Sequence, residues 1–161
     1  MIRRGFSAAA DVISALAMVV WVGGQAALGA FAARIAFQEL ARPEAARTMN
    51  RVFHEFDHVI VVAVCALFLA AVVGAITRKH EGLPTQIRLG LELGLCVLGA
   101  FEVFYVHHNI EAMFLAGRTL EPAFHAMHSL SERCAHIEAL LVVAALVTRA
   151  WPQPASNSQQ S

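Results

Sequence analysis

The residues richest in chemistry lie toward the C-terminal end, in the stretch Phe124-His125-Ala126-Met127-His128-Ser129-Leu130-Ser131-Glu132-Arg133-Cys134-Ala135-His136. Laid on an α-helix, His125, His128, Glu132 and His136 fall within about 80° of one another. A histidine and a carboxylate one turn apart are a common way for helices in a bundle to hold a cation. Nitrogen and oxygen donors of this kind favour Zn, Fe, Mn, Ni or Cu(II) over Ca or Mg. The run that follows, Ile137 to Val147, is apolar apart from Glu138 and covers about 16 Å, whereas a bilayer core is about 30 Å thick. If this helix spans, Glu132 and His136 lie within membrane depth, where an ionisable group needs protein, water or an ion beside it.

Similar groups recur upstream. His54, Asp57 and His58 lie within about 100° on a helix, and His107 and Glu111 stand one turn apart. Glu92 and Glu102 sit inside an apolar stretch, where two carboxylates suggest a proton path or cation route. Each could instead be bonded to a neighbouring helix through Gln25 or Arg133. No nucleophile constellation, phosphate loop or dinucleotide fingerprint accompanies them, so the pattern suits ion handling more readily than catalysis.

The elements that position these residues follow from composition. Of 161 residues, 58% are hydrophobic and 15% charged, with a mean hydropathy of +0.59. That is too apolar for an ordinary soluble domain. A formal net charge of zero gives no reason to expect a nucleic-acid partner. Cys65, Cys96 and Cys134 stand alone in apolar or helical segments and read as small core residues.

Four spans are predicted. The first runs from Val12 to Ala33; Arg3-Arg4 ahead of it resembles a twin-arginine signal, but the run is too long and contains Trp21 and Gln25. Asp11, Ser14, Met18 and Gln25 share a face that should look inward, and Gly23, Ala26, Ala27 and Ala30 offer a small-residue surface for helix contact. Pro43 opens a second helix that could reach Thr77, with Val59 to Ile76 free of charge. Arg78 to Pro84 reads as a charged turn. The third span covers Leu89 to Val106, with Gly90 and Gly94 as a further small-residue face and Gly99 further along; Gly117 is a predicted C-cap, and Glu121-Pro122 opens the fourth helix. Residues 1–150 form one membrane domain, and 151–161 read as a disordered polar tail.

With four crossings, most of the histidines collect in the half away from the termini. Counted from the terminal-side boundary, His58 and His107 both stand about 27 Å up, and Glu132 about 24 Å. The expected fold is therefore all-α, an antiparallel four-helix transmembrane bundle with extended second and fourth helices.

Three stretches, Trp21-Val22-Gly23-Gly24 with Phe31, Phe37 and Leu40, then Arg42-Pro43 with Arg51-Val52-Phe53 and Phe56, then Phe124-x3-His128-x-Leu130-Ser131, resemble a four-span membrane family that includes transmembrane protein 205 and bacterial relatives. The resemblance runs from about residue 10 to 148 and implies a bacterial member in the cytoplasmic membrane, with no established activity. Vertebrate relatives are associated with drug resistance. Ala135 stands where relatives tend to have Asn, and Glu132 and His136 fall outside the shared pattern.

Taken together, these residues predict a divalent transition-metal site centred on His58, Glu132 and His136. His128, with His107 or His108, would add or orient ligands, and Asp57 would serve as a carboxylate ligand or orienter. A b-type haem clamped between two histidines of different helices, with His107 and His108 as candidate ligands, is the redox alternative. A structural or subunit-forming protein without cofactor is the third. The lipid bilayer is the expected partner, and a homo-oligomer or a membrane-protein partner is compatible with the pattern.

Overall fold

The computed structural model describes residues 2–77 and 83–150, with side chains from residue 5 onward. The polar tail at 151–161, most of the charged turn after Thr77 and the Arg3-Arg4 side chains lie outside the described residues.

Every described element is helical. α1 (Ile2–Ala27) passes through a π-helical turn, Leu28–Ala32, into α2 (Ala33–Glu39). Leu40 then turns extended, at φ −110° and ψ 155°, and ends the run. α3 (Arg42–Thr77) starts where Pro43, which has no N–H to leave unpaired, fits a first turn, and Glu44 complements the helix N-terminus. α4 (Leu83–Phe101) continues through a second π-helical turn, Glu102–His107, into α5 (His108–Leu115). Gly117, at φ 70°, closes α5 in a Schellman motif: Arg118 N–H bonds Met113 O at 2.9 Å and Gly117 N–H bonds Phe114 O at 3.0 Å. α6 (Pro122–Ala150) completes the chain.

Three helical runs are long and apolar enough to cross a membrane: Gly5–Glu39, Arg42–Thr77 and Leu83–Leu115, of 35, 36 and 33 residues. The extra length expected of the second helix is thus shared by the first and third. α6 has 29 residues, but Glu132, Arg133, Glu138 and Arg149 interrupt its apolar character.

α1 packs on α3, α3 on α4, α4 on α6 and α6 on α1. Across the middle, Met18, Trp21, Ile60, Leu67, Leu95 and Val142 form one core. Outside that core the usual sorting of polarity is inverted. Val62, Leu69, Val97, Phe104 and Leu140 are well exposed, whereas Ser14, Arg88, Glu92, Glu102 and Glu138 are buried. A surface this apolar over a polar interior suits lipid as the surrounding solvent.

The close helix contacts fall at Gly99, already named on the third span, and at Gly24, rather than at the other small residues expected. Gly23, Gly90 and Gly94 have nothing within 4 Å of where a Cβ would stand, and Ala26, Ala27 and Ala30 are exposed. Gly24 and Gly99 make the contacts instead, against Phe56 and Trp21. Both stand opposite bulky aromatic rings, and the absent side chain is what lets each ring seat.

Candidate functional site

The π-helical turn Glu102–His107 sets the site. In an α-helix, Glu102 and His107 would point about 140° apart. Closing each turn at i+5 widens it by one residue, so residues five apart come to stand one above the other. Glu102, His107 and Val106 accordingly face the interior.

There each helical run contributes one partner. His107 Nδ1 lies 2.6 Å from Asp57 Oδ1 on α3. Its Nε2 lies 3.3 Å from Glu102 Oε1 and 3.3 Å from Ser131 Oγ on α6. Ser131 Oγ donates to Glu102 Oε1 at 2.9 Å, and Gln25 Nε2 on α1 donates to Glu102 Oε2 at 3.0 Å. Glu102 is fully buried with both oxygens engaged. With both ring nitrogens facing carboxylates, the doubly protonated imidazole satisfies the whole chain as a donor at each end.

Glu138 lies on the buried face of α6 with Cys134, Val142 and Ala145. It is fully inaccessible, and neither of its carboxylate oxygens has a hydrogen-bond partner. Glu102 and Gln25 are its polar neighbours, close enough to act on it without meeting its oxygens at hydrogen-bonding geometry, and His107 acts on it through charge. Gln25 Oε1 and Trp21 Nε1 are likewise buried without partners.

A second buried cluster closes the end of the bundle that holds the N-terminal part of α1. Glu92 Oε1 accepts from Ser14 Oγ at 2.9 Å and from Arg149 Nη2 at 2.7 Å, and Arg88 Nε stands 3.7 Å away. Arg149 Nη2 also donates to Ser14, and its Nη1 donates to the Asp11 carbonyl at 2.6 Å. Arg88 Nη1 pairs with the Asp11 carboxylate at 3.2 Å. Glu92 and Glu102 are about ten residues, or about 15 Å, apart along one helical run. Met18, Trp21, Leu95 and Gly99 make the dry layer between them.

Of the residues singled out from the sequence, Asp57 and His107 meet in this core. The others do not join them. His58 is exposed, its ring against that of His54, which pairs with Glu111 at 3.3 Å. His108 is exposed. His128 is exposed beside Phe124, with ring centroids 4.6 Å apart. Glu132 and His136 are exposed, and His136 Nδ1 bonds the Glu132 carbonyl of its own helix at 2.6 Å. Among the described residues, no three His, Cys, Asp or Glu side chains converge where a metal ion could sit. For haem, both ring nitrogens of His107 are already engaged.

The stripe at 125, 128, 132 and 136 faces outward for a reason of depth. It lies about 130° around α6 from Cys134, Glu138, Val142 and Ala145. Glu138 is about 9 Å deeper than Glu132 and therefore has the greater need of the interior, while Glu132 stays within reach of the boundary water. Glu138 stood out in the sequence as a lone charge in an apolar run, and that interruption was the signal for an interior position. Glu102 and His107 could not be paired by α-helical spacing.

Fold and polar interior together define an integral membrane protein in contact with lipid. Residues 16–119 match the family described as a domain of unknown function, DUF4149, and the chain belongs to it. The matched segment takes in Gln25, Asp57, Glu92, Glu102 and His107 and stops before α6. No curated protein and no solved structure matches the chain.

Proposed function

We propose that this chain is a four-span antiparallel bundle whose interior passes protons along Asp57, His107 and Glu102. α6 supplies the fourth span: its exposed face carries Ile137, Leu140, Val143 and Val147, and its polar groups Ser131, Glu138 and Arg149 turn inward. Bonds at both ends of the bundle support the up-and-down order. Ser14 meets Glu92 and Arg149 at one end, and Gln25 and Ser131 both meet Glu102 at the other.

The observation that carries the reading is His107 held between two carboxylates of two different helical runs, at 2.6 and 3.3 Å. An imidazole with an acceptor on each nitrogen can receive a proton on one side and release it on the other. Ionisable groups at membrane depth are costly, and they mark relays and ion routes more often than they brace a fold. Glu92, with its two arginines, forms the corresponding polar end beyond the dry layer.

The test uses full-length protein in proteoliposomes that enclose a pH-sensitive dye, with a potassium-diffusion potential as driving force. Wild-type vesicles should acidify faster than empty ones, and His107→Gln and Glu102→Gln should slow this at least about tenfold. Equal rates in wild-type and His107→Gln vesicles refute the relay. Elemental analysis and a visible spectrum of the same sample test the metal and haem readings: stoichiometric Zn, Fe, Mn, Ni or Cu would favour metal handling, and a Soret band would favour haem.

A further inference from the structure

We infer that Glu138, with Gln25 and Glu102, forms a binding site for a small hard monovalent cation, sodium in the first place. The inference rests on the relay reading for its setting, and it names the ion that would be coupled to the proton.

Three observations carry it. Both oxygens of Glu138 and the Oε1 of Gln25 are buried and unpartnered, and all three are acceptors. A fully buried carboxylate that accepts nothing is costly, and unmatched acceptors call for a positive partner. The charges agree. Asp57 and Glu102 share His107 as their cation, and an ion beside Glu138 would supply the positive charge that its ionised form lacks. Arg133, the nearest basic residue on α6, is exposed. Finally, the donor chemistry selects the ion. Carboxylate and amide oxygens, with a single thiol, Cys134, on the same face of α6, suit a hard cation better than zinc or copper, which favour several nitrogen or sulfur donors.

The ion would lie between α1, the π turn and α6, which carry Gln25, Glu102 and Glu138. A water completing its shell would accept the N–H of Trp21, one turn from Gln25, which also lacks a partner. Loading sodium would neutralise Glu138, and a proton taken up there would expel it, so the two cations would compete for one carboxylate.

The experiment is thermal unfolding of the full-length protein in detergent, with NaCl exchanged for choline chloride at constant ionic strength. Sodium should raise the melting temperature by about 5 °C or more as it is titrated well beyond its dissociation constant. Lithium should act similarly and potassium less. Equilibrium dialysis with radioactive sodium should find one ion per chain, and Glu138→Gln should abolish both effects. Gln25→Ala, which leaves the carboxyl in place, should weaken sodium binding at least about tenfold and serves if Glu138→Gln does not fold. Sodium no better than choline overturns the site, as does an undiminished response in Glu138→Gln, since water or a proton alone would then fill the gap. The relay itself stands or falls on His107→Gln flux, so the two failures are separable.

Discussion

The tightest contact in the bundle gives the sharpest prediction. A Cβ on Gly99 would overlap the Cη2 and Cζ2 atoms of Trp21 and stand 3.1 Å from Val64 Cγ2. Carbon atoms pack at about 3.5–4.0 Å, so in Gly99→Ala the indole would have to withdraw by more than about an ångström. It has nowhere to go: Trp21 is fully buried, with Met18, Ile60, Leu67 and Leu95 around it. Overpacking of this kind costs about 1–3 kcal/mol, against about 1 kcal/mol gained from replacing a helical glycine by alanine. With two ring atoms overlapped the cost falls in the upper part of that range, and the resulting net loss of about 1–2 kcal/mol should lower the melting temperature in detergent by about 3–6 °C. Trp21→Phe removes the colliding ring atoms at the expense of a cavity, and in its presence Gly99→Ala should become neutral or stabilising. The double-mutant cycle should show coupling of about 1–2 kcal/mol. A Gly99→Ala protein that melts with wild type, or additive effects in the cycle, would mean that α1 and α4 do not meet across the core at this level.

Other perturbations should separate the buried polar groups from the outward stripe. Asp57→Asn removes the charged acceptor at His107 Nδ1 and should cost about 2 kcal/mol, read as a lower melting temperature. Glu92→Ala leaves Arg88 and Arg149 buried beside each other and should cost about 3–5 kcal/mol, enough to lower the yield of folded protein seen by size exclusion. Glu138→Gln removes an unpartnered buried carboxylate and should raise the melting temperature in choline chloride, the opposite sign from Glu92→Ala. His128→Ala, Glu132→Ala and His136→Ala touch exposed side chains, and each should change stability by no more than about 0.5 kcal/mol while leaving metal content unaltered.

Several helix ends were plain in the sequence because local chemistry marks them, although the first and third runs reach beyond their apolar spans. The Arg42-Pro43 start, the end at Thr77, the Gly117 cap and the start at Pro122 all appear where the residues placed them. The inward face of α1 was readable for the same reason: Ser14, Met18 and Gln25 interrupt or thicken an apolar run with period 3.6. Which face of α6 looks inward was not readable. In lipid the outer face is as apolar as the inner, so Leu140 and Val142 look alike in sequence though one is exposed and the other buried. The polar stripe ending at His136 therefore drew attention to the wetter end of the helix, while a single glutamate deeper down occupied the core. Asp57 and His107 stand out in the sequence as ionisable groups, but their link to Glu102 depends on a wide turn that no spacing rule for α-helices contains.

That wide turn has a consequence for chain length. Glu102–His107 acts as a phase step: the faces of α5 are offset from those of α4 by one residue. Shortening the segment by one position, at Val103 or Phe104, would let ordinary coiling resume with the two residues four apart and only about 40° from each other, so the pair should survive the deletion. Straightening the turn with all its residues kept would instead leave the glutamate and the histidine about 140° apart, so it is the extra residue that makes the wide turn indispensable.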